Sequence, residues 1–282
     1  MKVSIITVTF NSATYLTDCI DSVRSQDHED IEHIIIDGKS TDGTVGIILE
    51  NEAYISEWIS EPDRGMYDAI NKGIALATGD IIGVLNSDDM FASADVISQI
   101  VKCFIQTGTD SVYGDLVYVN AYNTSKIFRY WKGLPYNRAR FKTGWMPAHP
   151  TFYIKRSLIE EHGPYESHYF SAADYEFMAR YLYLLKVSSH YLPKMIVKMR
   201  NGGISNGNIY RRLRANRRDY LAMKKNNIPF PFIVSILKPL SKIPQYSKNL
   251  NQKILNKNKE NALIVTSVSY FRKAEYHSKI PG

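Results

Sequence analysis

Cysteine is scarce, with two copies in 282 residues, Cys19 and Cys103. They form no CxxC pair and have no histidines at ligand spacing. That excludes a disulfide-built secreted scaffold and a zinc-finger site. Long hydrophobic runs are missing too. No stretch approaches the roughly 20 apolar residues that span a bilayer. Val3–Phe10, directly after Met1-Lys2, is too short for the apolar core of a signal peptide with its cleavage site. The expected location is therefore the cytoplasm. Glycine-rich phosphate loops are also lacking. No GxGxxG follows the first apolar segment and no GxxxxGK[ST] occurs, which counts against a dinucleotide site and a P-loop. There is no internal repeat and no low-complexity tract.

What is present is an ordinary globular composition, 44% hydrophobic and 22% charged, which excludes collagen-like, coiled-coil and wholly disordered chains. The length accommodates one large α/β domain with an appendage, or two domains. Tyrosine is abundant at 20 copies, either as core or as walls of a site for a polar, ring-shaped ligand. The formal charge of +7 is unevenly divided. From Arg200 onward, 17 Lys and Arg face three acids, whereas the preceding residues carry 18 basic against 25 acidic side chains. An acidic body with a basic tail points to an anionic surface as partner.

Periodicity organises the first ninety residues. Val3–Phe10 is rich in β-branched residues and reads as a buried strand. A helix is expected from about Tyr15 to Ser25, a strand over Ile31–Ile36 ending at Asp37, and a helix through Glu50. A third strand over Tyr54–Ser60, a helix over Met66–Ala77 and a strand over Ile81–Leu85 follow. This alternation predicts a mainly parallel sheet with helices on both faces. Ligands of such sheets bind beyond the carboxyl ends of the strands. Later, a helix over Ala94–Gln106, strands at Ser111–Val119, Thr151–Ile154 and Met195–Met199, and a helix over Ala172–Leu184 are expected. Asn120–Trp145 reads as loop, and residues after Tyr210 as basic helix.

Two acidic positions stand at strand ends. Asp88 and Asp89, in Leu85-Asn86-Ser87-Asp88-Asp89, follow an apolar strand. They can hold a hard divalent cation whose shell is completed by phosphate oxygens and water, or cap the next helix. Asp37 can accept a base N–H or ribose hydroxyl, or form a turn beside Gly38.

Four segments in order carry a family resemblance. They are Val3-Ser4-Ile5-Ile6-Thr7-Val8-Thr9-Phe10-Asn11, Ile36-Asp37-Gly38-Lys39-Ser40-Thr41-Asp42-Gly43-Thr44, Gly65-Met66-Tyr67-Asp68-Ala69-Ile70-Asn71-Lys72-Gly73 and Leu85-Asn86-Ser87-Asp88-Asp89. Together they resemble glycosyltransferase family 2, the inverting, metal-dependent sugar transferases of the GT-A fold. The likeness is strongest over Met1–Met90 and continues through His149-Pro150-Thr151-Phe152 and Ala172-Ala173-Asp174-Tyr175-Glu176 to Gly202-Gly203-Ile204-Ser205.

The resemblance implies a nucleotide site made by Thr9, Asn11, Asp37, Gly65, Asn71, Lys72, Asn86 and Ser87. It implies Asp88 as ligand to Mn²⁺ or Mg²⁺, and Asp174 as the base that takes the acceptor's proton. Asp89, Arg64 and His149 are further candidates: Asp89 as ligand, supporting partner or cap, Arg64 for phosphate, and His149 near the acceptor. The chain departs from the pattern at Asn86 and at Gly38, where the family has acids. Tyr67, Trp145, Tyr169 and Phe170 can stack on sugars or belong to the core. Gly202–Ser205 can form a backbone nest for diphosphate or simply turn the chain.

The implied organisation is a GT-A, Rossmann-like catalytic domain over 1–205, with a nucleotide half (1–90) and an acceptor half (91–205). A basic, amphipathic helical extension covers 206–282. The expected activity is transfer of a sugar from a nucleotide-diphosphate donor, UDP-linked, to a glycan or a polyprenyl-diphosphate-linked acceptor in polysaccharide assembly. The alternatives are a sugar-phosphate nucleotidyltransferase and a non-catalytic sugar-nucleotide or membrane-binding protein. Arg211–Arg218 and Pro229–Leu240, cationic beside apolar, suit lying on an anionic membrane surface. The expected placement is peripheral, on the cytoplasmic face of the inner membrane. Nucleic acid is not an expected partner, because no nucleic-acid motif accompanies the charge.

Overall fold

The computed structural model describes residues 1–201 and 209–240. The alternation of periods folds as expected over the first ninety residues. Strand β1 (Val3–Thr9) leads to helix α1 (Leu16–Arg24), β2 (Ile31–Asp37), α2 (Thr44–Glu50), β3 (Glu57–Ser60), α3 (Met66–Leu76) and β4 (Ile81–Val84). The third strand is shorter than expected, because Glu52–Tyr54 winds into a 3-10 turn first. Both faces of β1 are buried, which explains its unbroken apolar run. Val3 and Ile5 pack with Cys19 and Val23 of α1, whereas Ile6 and Val8 pack with Tyr67 and Ile70 of α3.

The second half extends the same sheet through β5 (Met90–Phe91), α4 (Val96–Thr107), β6 (Ser111–Val119), β7 (Ile127–Trp131), β8 (Tyr153–Lys155), α5 (Arg156–His162), α6 (Ala173–Met178) and β9 (Ser189–Arg200). The sheet order is β3-β2-β1-β4-β8-β6-β9-β5, with β7 paired to β6. It is parallel across β3, β2, β1 and β4 and again between β6 and β9. Antiparallel β8 forms the seam between the two parallel blocks. Gly83 lies opposite Tyr153 at that seam, and a Cβ there would fall 2.2 Å from the Tyr153 ring. The result is a mainly parallel α/β sheet flanked by helices.

Two expectations need correction. Asn120–Trp145 is not all loop, because Ile127–Trp131 pairs antiparallel with β6. Asn120 Oδ1 accepts the Tyr122 and Asn123 amides, closing a tight turn that returns the chain. Buried Tyr130 donates its hydroxyl hydrogen to Asp115, while Arg129 stacks on Tyr118. A single arginine set among aromatic residues hid the strand period. The last strand is also longer than Met195–Met199. Its first half pairs with β6 through polar residues, which contribute no apolar signal.

Helix α6 continues through Ala179–Leu184 with the wider π-type turn. Helices α7 (Ile209–Lys225) and α8 (Pro231–Leu240) follow. Lys225 of α7 pairs with Glu166 and, at 3.1 Å, with buried Glu176 of α6. Among the described residues no helix is long and apolar enough to cross a membrane. The Gly202–Ser205 turn and the extension beyond Leu240 lie outside the described residues.

Candidate active site

Parallel pairing aligns the carboxyl ends of four strands along one edge. The register sets Thr9 beside Asp37 and Asp37 beside Ser60, and Leu85 donates its amide to Ile6 next to them. Thr9, Asp37, Ser60 and the loop Asn86–Asp89 therefore share one rim. Thr9 Oγ1 and Asn86 Oδ1 are buried there without a hydrogen-bond partner. Buried polar atoms are almost always paired, so these two orphans mark the place where a polar ligand would complete the structure.

Asp37 is buried and accepts from the Ser40 amide at 2.9 Å, the Ser40 hydroxyl at 2.5 Å and the Ser60 hydroxyl at 2.6 Å. Its carboxylate ties β2 and β3 to the Ser40–Thr44 turn. That turn in turn holds the loop after β1. Ser40 Oγ accepts the Asn11 amide, Asn11 Oδ1 accepts the Thr41 amide, and Thr44 Oγ1 accepts the Ser12 amide. Asp42 accepts the Ala13 amide and the Thr44 hydroxyl, and the latter bond is the main reason its carboxyl lies below the usual range. Asn11 sits at φ 49°, a left-handed conformation that asparagine tolerates better than most residues. Ser87 joins this loop through a 2.9 Å contact with Ser12 Oγ.

The acidic loop has an inner and an outer member. Asp89 is fully buried, accepting from Asn86 Nδ2 at 2.9 Å and from the Arg200 amide at 3.2 Å. Burial, reinforced by the Asp88 charge, holds its carboxyl well above the usual range. Asp88 is half-buried; burial raises its carboxyl while the Arg200 charge pulls it back. Among the described residues no group of three or more His, Cys, Asp or Glu can hold a metal, so the chain alone builds no cage. The donor set does fit a divalent cation that arrives with a diphosphate. Mg²⁺-type sites need only one or two protein carboxylates when phosphate and water supply the rest. Asp88 is the carboxylate available for it, whereas Asn86 and Asp89 are turned toward each other.

Several candidates are engaged by the segments around α3. Both amide atoms of Asn71 bind the Tyr165 backbone, at 2.7 and 3.0 Å. Lys72 pairs with Glu61 at 2.8 Å and donates to Pro62 O. Arg64 is exposed and bound to Asp68, and Gly65, at φ 117°, starts α3. Asn71 and Lys72 thereby tie α3 to Tyr165 and to the 61–62 segment.

Asp174 opens α6 half-buried, its carboxylate accepting the Tyr175 amide at 2.6 Å. Tyr67 of α3 is buried, close enough to feel the Asp174 charge. Burial, and then the Asp174 charge, raise the Tyr67 phenol well above its ordinary value. His149 is buried with Nε2 2.8 Å from the Tyr165 hydroxyl. Burial lowers its pKa and the Asp174 charge opposes that shift. Tyr67, Tyr165 and His149 thus form an aromatic wall behind Asp174. Phe170, four residues earlier, is exposed at φ 48° and ψ −120° with Arg218 over its ring. Such backbone costs a non-glycine residue about 1–3 kcal/mol and tends to mark functional segments. Trp145 packs edge-on against Phe141, and Tyr169 lies beside the His168 ring.

One residue escaped the sequence reading. Arg200 donates to Asp88 O and Ala121 O, pairs with Asp18 and lies over the Tyr15 ring. It locks the acidic loop to the end of β9. A lone arginine closing an apolar strand was the available signal. Phe10 is 62% exposed at the tip of β1, its ring against Gly38. Asp63 Oδ2 lies only 2.6 Å from where a Gly38 Cβ would be. The Asp63 carboxylate, from the loop before α3, thus occupies the space beside Gly38.

The model of the family described as glycosyl transferase family 2 matches residues 4–163. A PGL/p-HBAD biosynthesis glycosyltransferase of Mycobacterium bovis is 32% identical over 209 residues, spanning 72% of this chain and 78% of that protein. The fold is similar to S. aureus TarS 1-349 in complex with UDP, at TM-score 0.62 and 18% identity, over 83% of this chain and 68% of that one. Of a longer TarS chain, this one spans 44%. The mannosyltransferase PcManGT of Pyrobaculum calidifontis, in complex with GDP-Man and Mn²⁺, matches at TM-score 0.58 and 19% identity, over 98% and 82% of the two chains.

Proposed function

The chain belongs to glycosyl transferase family 2, a glycosyltransferase with the GT-A arrangement of sheet and helices, and from that premise we propose its reaction. It moves a sugar from a UDP-linked donor, with inversion, to a hydroxyl of a glycan or lipid-linked oligosaccharide in polysaccharide or glycolipid assembly. The observation that carries this reading is the strand-tip rim, where Thr9 Oγ1 and Asn86 Oδ1 are buried without partners beside Asp88. The UDP complex of TarS and the GDP-Man and Mn²⁺ complex of PcManGT, both of this fold, support a nucleotide sugar as occupant.

In the proposed mechanism the base and ribose lie against Thr9, Phe10, Asp37 and Asp63, with Asn11 and Ser87 shaping the wall. Asp88 would hold Mn²⁺ or Mg²⁺, and the chemistry such an ion supplies is neutralisation of charge on the departing diphosphate. Asp174 accepts the proton of the acceptor hydroxyl as that oxygen attacks the anomeric carbon from the face opposite the diphosphate. Tyr67 walls the site beside Asp174 together with Tyr165 and His149, and Phe170 offers an exposed ring to the acceptor. The site faces the cytoplasm, with the protein peripheral on an anionic membrane surface that carries the acceptor.

Melting curves with a panel of nucleotide sugars, with and without Mn²⁺, test this reading. A UDP-sugar with Mn²⁺ should raise the melting temperature, and Asp88→Asn should remove the Mn²⁺-dependent part. Absence of any response to nucleotide sugars, or release of pyrophosphate from a sugar phosphate and a nucleoside triphosphate, would refute it.

A further inference from the structure

Helix α8 presents its large apolar side chains outward. Val234 and Ser235 are buried, and Lys238 turns inward, 2.7 Å from Asp219 and 4.1 Å above the Tyr175 ring. Phe232, Ile233, Ile236 and Leu237 face out at 67%, 54%, 53% and 39% exposure, with Phe230 beside them at 74%. At 100° per residue the four helical positions cover one continuous side of the helix. A surface helix ordinarily turns its apolar stripe to the core, and a contiguous exposed apolar patch marks an interaction site.

Charge identifies the occupant. Helix α7, which packs against α8, exposes Arg214, Arg217 and Lys224. An open cleft of about 440 Å³ beside it is lined by His168, Tyr169, Arg218, Leu221, Lys224 and Lys225. The 42 residues after Leu240 carry eight Lys and Arg against two acids, a charge of the same sign as this surface. Apolar side chains bordered by cations match the boundary between acyl chains and anionic headgroups.

We propose that α7 and α8 form an interfacial docking surface for an anionic lipid bilayer, with Phe230, Phe232, Ile233, Ile236 and Leu237 entering the headgroup–acyl boundary. Lys238 reaches Tyr175, the neighbour of Asp174, and Arg218 reaches Phe170, so the docked helices touch the segment that carries the base. Given the reading above that the acceptor is lipid-linked, docking brings that acceptor to the entrance beside Asp174.

Flotation of the full-length chain with phosphatidylcholine vesicles, with and without phosphatidylglycerol, tests the surface. The wild type should float with the anionic vesicles only. Phe232→Glu combined with Ile236→Glu should lower the bound fraction at least about tenfold and leave the melting shift produced by UDP and Mn²⁺ unchanged. Equal flotation of the two proteins, or no flotation of the wild type, overturns the proposal. So does a double variant that loses thermal stability or a dimeric state without losing vesicle binding, since another part of the protein then covers the face. A chain that floats as expected but ignores nucleotide overturns the transferase reading alone.

Discussion

Acidification should weaken the central strand pair β1–β2. His33 lies on β2 at 2% exposure. Its Nε2 is 2.9 Å from the Thr7 hydroxyl of β1, and its Nδ1 has no partner. Burial lowers its pKa from 6.5 to about 4. The folded state therefore refuses a proton that the unfolded chain accepts from about pH 6.5 downward. Stability contributed by the neutral ring is complete above pH 6.5 and is lost as pH falls toward 4. At 1.36 kcal/mol per pKa unit, the loss is on the order of 3 kcal/mol. For a chain of this size that is roughly 6–12 °C of melting temperature. Melting curves for wild type and His33→Gln between pH 7 and 4.5 check it. Glu32, whose pKa hydrogen bonds from Lys2, Ser4 and Thr78 lower to about 2 against the effect of burial, loses its contribution only below about pH 4.5. Its window lies beneath that of His33. His149, also lowered by burial, is present in both proteins, so the difference between the two curves isolates His33. Parallel curves would refute the reasoning.

Other expected outcomes concern the site and its frame. Asp174→Asn should lower transfer by roughly 10²–10⁴-fold with the UDP-induced melting shift retained; equal turnover removes Asp174 from the base role. Tyr67→Phe deletes a buried hydroxyl that sits within reach of the Asp174 charge. It should reduce kcat with little change in the donor KM, at a stability cost of about 1 kcal/mol, and a rise in KM alone would speak against positioning. Gly83→Ala should destabilise the β4–β8 seam by about 1–3 kcal/mol, seen in denaturant titration, because the Tyr153 ring already fills the space a methyl group needs.

The rim was legible because parallel strands announce themselves as short apolar runs separated by helical periods, and their polar ends must then converge. Thr9, Asp37 and Asn86–Asp89 stand where that logic puts them. The hairpin strand Ile127–Trp131 was not legible, because Arg129 breaks the apolar alternation of a segment only five residues long. The engagement of Asn71 with Tyr165, 94 residues away, is equally invisible in one dimension. Asp63 is the sharpest case, because only folding sets its carboxylate beside Gly38.

Local chemistry alone therefore determined the strand–helix alternation, the polar tips of the strands and the basic character of the last helices. Those properties follow from nearest neighbours along the chain, through backbone preference and hydrophobic period. The chain's three-dimensional packing decided which carboxylate is outward and which is buried, which asparagine braces the frame, and that the apolar side of α8 faces away from the core. These depend on burial and on partners far apart in sequence, and neither quantity exists until the sheet has closed.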